Sequence, residues 1–322
     1  MRILYLCPKG VYDTKMSRVR FHSMAAIAKI ADVDYWGRGW PQYNKTGTAT
    51  ENLTQRYGNS MPDLVVAYKP LGLRDFKSIP LPKCVRYNEM WDKRKTANEI
   101  CKSGAGLVIC HHKNDMPYYE KSISGVRFVN ISHCAEKRIY RDYGLPKEID
   151  VLFTGAVSRH YPFRARLLHI VRTRLSGLVK CYIMPHPGDP GVPFKEIAGC
   201  TLKRYAKTIN RSKITFTCSS RYKYRLGKYT EIPLCASLLA ADLPDEDQDF
   251  FRKFMLVLNP LESDDEIVKK VLHYVRNDKE RNALVQKGIE LNKGYTQEKY
   301  AERFVQAAEE YIRDFRNNAG LQ

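Results

Sequence analysis

Short apolar runs alternate along the chain with longer segments whose apolar positions recur every three to four residues, which predicts strand and helix in turn. RILYLC at 2–7 reads as a buried strand, and MSRVRFHSMAAIAKIA at 16–31 as the helix that follows it. DVDYWG (32–37), DLVVAY (63–68), KCVRYN (83–88), GLVICHH (106–112) and VRFVNIS (126–132) continue the strand series. The cycle then restarts. Residues 144–171 read as a linker, a new buried strand, a glycine-bearing turn and a helix, and further strands are expected at 179–184, 213–218, 236–242 and 254–259. Helices are expected at 201–211, 229–235, 264–276 and 278–291, with a strongly helical end at 296–318. The fold class is therefore α/β, with two doubly wound, Rossmann-like domains facing a central cleft. The domains run over 1–146 and 147–295, and 296–322 carries a helix crossing back towards the first. In such sheets ligands collect beyond the carboxyl ends of the strands, so the residues following each strand are where chemistry is sought.

Composition narrows the partners. A chain of 322 residues exceeds one usual compact core. Lys and Arg number 54 against 35 Asp and Glu, a net charge of +19 that favours polyanions, phosphorylated metabolites or acidic membrane surfaces. Nine cysteines, an odd number with no CxxC pair, fit a reduced, cytoplasmic protein. The N-terminal apolar run is too short for a leader, and no stretch reaches the roughly 18 apolar residues of a membrane span. The protein is expected to be soluble, with a basic surface able to associate peripherally with an anionic membrane.

Two segments carry the donor-side chemistry. In DVLFTGAVSRHYPFR a strand ends at Thr154-Gly155 and leads into a helix, a geometry in which glycine admits an anion that Arg159 and Arg164 can hold. The chain has no GxGxxG and no Walker A motif. Around Gly227-Lys228, Tyr222 stands where the first Walker glycine belongs and Tyr229 where Ser or Thr belongs, which removes dinucleotide-oxidoreductase and P-loop readings. RYKYRLGKYTEIPLCASLLAAD (221–242) is basic and tyrosine-rich, then apolar around the lone acid Glu231. It admits two readings: a strip that stacks and grips single-stranded nucleic acid, or the phosphate end of a nucleotide-sugar site.

Residues 146–318 resemble the nucleotide-sugar half of GT-B glycosyltransferases, the CgeB-like, group 1 type C-terminal domain in particular. The resemblance rests on DVLFTGA with its arginine-rich helix, on LKRYAKTINRSKITFTCSS, and on KYTEIPLCASLLAADLPDE followed by DDEIVKKVLHYVRNDKERNALVQKG. It implies that Glu231 binds the donor ribose hydroxyls and that Arg225, Lys228 and the basic residues after the glycine turn neutralise the departing diphosphate. The implied donor set is Gly155, Arg159, His160, Arg225, Lys228, Tyr229 and Glu231. Cations fixed at the leaving group would stabilise its growing charge without a metal, so neither metal nor cofactor is expected beyond the nucleotide-sugar donor. The chain departs from the family at Lys223, where many retaining members carry a glutamate eight residues before the ribose-binding one, and at Ala236, where they carry glycine. Those departures leave the stereochemical class open.

On the acceptor side VICHHKNDM places His112 and Asp115 after a strand, and these with Glu89 are the candidate catalytic groups for an acceptor hydroxyl. One of the consecutive His111 and His112 is expected to be structural. Asp13, Asp92 and His133 rank lower, with turn or N-cap roles for the acids. A Cys110-His111-His112 metal site lacks a fourth ligand, and Asp245-Glu246-Asp247 reads as a solvent loop rather than a metal-binding DxD. The expected activity is sugar transfer from a nucleotide sugar to a glycan or other hydroxyl acceptor, an anionic one suiting the charge. The alternatives are a catalytically inactive binder of nucleic acid or other polyanions, and a glycosyltransferase acting on modified DNA bases.

Overall fold

The computed structural model describes residues 1–9, 19–68, 75–186 and 202–318. The chain divides into two compact units, Met1–Ser132 with Gln297–Gln322, and His133–Thr296. The segment 133–146, ahead of the boundary read from sequence, thus belongs to the second unit.

Unit 1 is a six-stranded parallel sheet of order β2-β1-β3-β4-β5-β6. Its strands are β1 (Arg2–Leu6), β2 (Asp32–Trp36), β3 (Leu64–Tyr68), β4 (Lys83–Tyr87), β5 (Leu107–Cys110) and β6 (Arg127–Asn130). The central strands are buried on both faces, which is why they read as continuous apolar runs rather than alternating ones. Helices α1 (Val19–Ile27), α2 (Ala49–Tyr57), α3 (Lys93–Ser103) and α4 (Met116–Ser122) connect them. Sequence periodicity left α2, α3 and α4 unassigned because their apolar positions are few. Capping fixes the starts of the first two, since Thr48 and Glu51 form a reciprocal capping box on α2 and Asp92 accepts from the Lys95 amide on α3, while α4 carries Pro117 in its first turn.

Unit 2 is a five-stranded parallel sheet of order β11-β10-β9-β7-β8. Its strands are β7 (Ile149–Phe153), β8 (Cys181–Ile183), β9 (Ser212–Phe216), β10 (Leu238–Ala241) and β11 (Leu256–Val257). Helices α5 (Pro162–Ile170), α6 (Leu202–Asn210), α7 (Lys228–Leu234), α8 (Gln248–Arg252), α9 (Asp264–Arg276) and α10 (Asp278–Asn292) cover it. Val151, Ile214 and Leu238 point into one core layer, and Leu152, Leu239 and Ala241 into the other.

The last helix, α11 (Gln297–Asn318), is part of unit 1. Phe304, Ala308 and Ile312 are buried, and Arg127–Asp314 and Arg316–Asp63 ion pairs tie its polar side down. Gly106 makes room for it, since a Cβ there would lie 2.4 Å from the Tyr311 hydroxyl. Where the chain crosses between units, the Ala135 amide donates to the Tyr295 carbonyl and Ala135 bridges Thr296, both within unit 2. No helix among the described residues is long and apolar enough to cross a membrane.

Candidate functional site

The strand order of unit 2 dictates where its site lies. β7 is flanked by β8 on one side and β9 on the other, so the connections leaving β7 and β9 pass to opposite faces and open a crevice beyond their carboxyl ends. Phe153 pairs with Phe216, which brings the next residues, Thr154 and Thr217, side by side at that edge.

Gly155 follows Thr154 with φ +106°, a backbone conformation that favours glycine. A Cβ there would lie 2.9 Å from Arg164 Nη1 and 3.2 Å from Lys228 Cε. The missing side chain therefore lets two cations, from α5 and α7, converge over one turn. Arg164 is buried; its Nη1 donates to the Ala156 carbonyl at 2.9 Å, its Nη2 to Thr217 Oγ1 at 3.3 Å, and its plane lies 4.1 Å from the Tyr161 ring centre. Its Nε has no acceptor among the described residues. Lys228 Nζ donates to the Tyr205 hydroxyl at 2.6 Å. Burial draws the Lys228 pKa down to about 8, with Glu231 opposing the shift and Arg164 adding to it.

One helical turn on, Glu231 is half-buried, and its carboxyl pKa is raised by burial against the opposing pull of Lys228 and a hydrogen bond donated by Tyr140. Tyr140 and Tyr205 meet edge to face, with centroids 6.3 Å apart. Burial, with Glu231 adding to it, raises both phenols well above their usual range, and Thr154 opposes the rise at Tyr205. The result is a small desolvated patch with two cations, one acid and two tyrosines.

Of the donor residues expected from sequence, Gly155, Lys228 and Glu231 come together here, and Arg164 joins them. Arg159 is exposed on the turn after Gly155. The His160 ring nitrogen Nδ1 lies 3.3 Å from the Tyr222 hydroxyl, and its carbonyl accepts from the Arg221 amide, so His160 joins the two loops that border the crevice. Tyr229 is fully buried and donates to the Asp242 carbonyl at 2.6 Å, which anchors α7 to the end of β10. Arg225 is likewise fully buried: it stacks 3.8 Å from the Tyr295 ring centre, near Phe250 and Phe251, and Nη2 donates to Thr230 Oγ1. Both are placed in the interior rather than beside Gly155.

Tyr205 and Tyr140 were missed because their surroundings in sequence, LKRYAKTIN and KRIYRDYG, show only helical spacing and charge. The basic-aromatic strip at 221–229 does not present a row of open rings, since Tyr224 and Tyr229 are buried and Lys223 Nζ is bound to Asp242 Oδ2 at 2.9 Å. That pair also accounts for Lys223: with φ +55° it faces Asp242. Ala236, at φ +55°, holds the left-handed conformation that the family glycine would adopt freely. The acids 245–247 have separate partners. The Asp245 amide donates to the Lys223 carbonyl, Glu246 is buried and accepts from the Arg225 amide, and Asp247 Oδ2 lies 3.6 Å from Arg225 Nη1.

In unit 1, Tyr87 pairs with Cys110, so Glu89 and His112 each lie two residues beyond matched positions on β4 and β5. His112 and Asp115 are buried and linked through the Asp115 amide and His112 carbonyl at 3.3 Å, whereas Glu89 is half-buried. His111 Nδ1 sits 2.7 Å from the Ile131 carbonyl, making it the structural member of the histidine pair. Asp92 is an N-cap, the His133 carbonyl accepts from Thr230 Oγ1, and Asp13 lies outside the described residues.

The model of a family described as glycosyl transferase-like matches residues 164–306. No curated protein matches the sequence. Among solved structures, sucrose-phosphate synthase from Thermosynechococcus elongatus is similar at TM-score 0.70 and 12% identity, covering 98% of this chain and 100% of its own. HepE of Anabaena, solved with UDP and glucose, is similar at TM-score 0.60 and 11% identity, covering 96% of this chain and 100% of its own. AviGT4, a glycosyltransferase involved in avilamycin A biosynthesis, is similar at TM-score 0.56 and 11% identity, covering 98% of each chain.

Proposed function

We infer that this GT-B glycosyltransferase, whose second unit carries the glycosyl transferase-like domain, moves a sugar from a nucleotide-sugar donor to an acceptor hydroxyl without a metal ion. The observation that carries the reading is the meeting of Arg164 and Lys228 over Gly155, with Glu231 one turn away. HepE was solved with UDP and glucose, which supports a uridine diphosphate sugar as the first donor to try.

Each residue has a distinct task in this account. Gly155 lets the diphosphate approach the backbone, and Arg164 and Lys228 meet its charge. That charge grows as the glycosidic bond to phosphate breaks, so the two cations favour the transition state over the bound donor. They supply the positive charge that a divalent ion would otherwise bring. Glu231 accepts from the ribose hydroxyls and sets the distance between nucleotide and reacting carbon. The acceptor is assigned to unit 1, with Glu89, His112 and Asp115 as the groups able to receive its proton; Glu89 is the most accessible of the three. An anionic glycan or an acceptor at an anionic membrane suits the +19 charge.

Release of nucleoside diphosphate from UDP-, GDP-, ADP- and dTDP-sugars in the presence of EDTA tests the reading. Release from one donor, unaffected by EDTA and lost in Glu231→Ala, is expected. Turnover that requires a divalent ion would overturn the metal-independent mechanism, and no release from any donor would overturn the transferase reading.

A further inference from the structure

Among the described residues, neither cation over Gly155 is salt-bridged to a carboxylate: Glu231 attracts Lys228 from one helical turn away without an ion-pair contact. Arg164 donates to a carbonyl and a hydroxyl, and Lys228 to a phenol. Neither forms an ion pair among the described residues, although Arg164 is buried and Lys228 half-buried, and cations withdrawn from water are ordinarily matched by carboxylates. A neutral acceptor on Lys228 fixes the ammonium in place and leaves its charge offset only by the more distant Glu231, whereas a carboxylate in the acceptor's position would compete with a ligand. The phenol is itself immobilised, since Tyr205 is buried on α6 and packed edge to face on Tyr140. Tyr140 in turn favours the charged form of Glu231.

We propose that Tyr205 is a positioning residue for the diphosphate: its hydroxyl holds the Lys228 ammonium over Gly155 without a salt bridge to a carboxylate, and through Tyr140 the same aromatic pair acts on Glu231. The inference rests on the donor reading of this site. The groups that act on Lys228 are Tyr205 from α6, Arg164 from α5 and Glu231 from its own helix. A hydrogen bond accepted from the charged form favours that form, so losing the phenol oxygen lowers the pH at which Lys228 surrenders its proton.

Calorimetric titration of the full chain with inorganic pyrophosphate and with UDP, between pH 6.5 and 9.5, separates the possibilities. In the wild type both ligands should bind and weaken as pH rises through about 8. Tyr205→Phe should bind pyrophosphate about tenfold more weakly, the size of one hydrogen bond to a charged group, and its decline should begin at lower pH. A variant that melts at lower temperature yet keeps the wild-type affinity and the same pH limb would overturn the inference and leave the donor site standing. Failure of the wild type to bind either ligand would overturn the donor reading and the inference with it. Should Tyr205→Phe not fold, Tyr205→Leu removes the same acceptor oxygen from Lys228 while keeping an apolar side chain there; a limb moved to lower pH supports the proposal and an unmoved one overturns it.

Discussion

Lys228 holds its charge against its own burial, and that conflict makes it a sensitive probe of the site. Its folded pKa of about 8 lies below the ordinary 10.5, so the fold prefers the neutral amine. The lysine therefore opposes folding below pH 8, and its unfavourable contribution diminishes as pH rises from about 8 towards 10.5. At pH 7, Lys228→Met should melt no lower than the wild type while binding the donor about 10- to 100-fold more weakly, the loss of a charge-assisted hydrogen bond to phosphate. Donor affinity in the wild type should be flat below pH 8 and then fall by at most about tenfold per pH unit, because only the ammonium pairs with diphosphate. Gly155→Ala tests the same spot sterically. It strains a φ of +106° and pushes both cations aside, so donor binding should fall more than melting temperature does.

The element that organises the site is α7 with the loop before it, and its residues divide by direction. Lys228 and Glu231 turn to the switch point, while Arg225 and Tyr229 turn inward. Arg225→Ala should lose stability on the order of 2–4 kcal/mol, as large-to-small core truncations do, with donor affinity of the folded protein changed much less. Denaturant melts paired with donor titrations would show this; a stable variant that had lost its donor would return Arg225 to the site. Lys223→Glu should destabilise rather than supply a family contact, because it replaces the ion pair with Asp242 by repulsion.

What sequence could and could not reveal follows from the same division. Parallel strands buried on both faces announce themselves as apolar runs, so all eleven strands and the strand-to-helix turn at Gly155 were readable. A resemblance picks out Glu231 and Lys228. It cannot tell which of several neighbouring basic residues faces a ligand, since Arg225 owes its inward turn to Phe250, Phe251 and Tyr295, the last of them 70 residues away. Tyr205 was invisible for the opposite reason: a tyrosine on the buried stripe of an amphipathic helix looks like core until the strand end and the lysine beside it are known.

At the scale of the whole molecule, two parallel α/β units each place candidate chemistry beyond strand ends, and the polypeptide carries +19 charges. That excess should make acceptor or membrane encounter sensitive to salt, while the buried Arg164 and half-buried Lys228 over Gly155 should be screened far less. The central claim, that Arg164, Lys228 and Glu231 form a metal-independent nucleotide-sugar site, is tested most directly by calorimetric titration of the matching nucleoside diphosphate in EDTA against wild type, Lys228→Met and Glu231→Ala. The account predicts binding to the wild type, strong weakening in both variants, and pyrophosphate binding that Glu231→Ala impairs less than it impairs nucleotide binding. Undiminished nucleotide binding in both variants, or binding by the wild type only when a divalent ion is added, would contradict it.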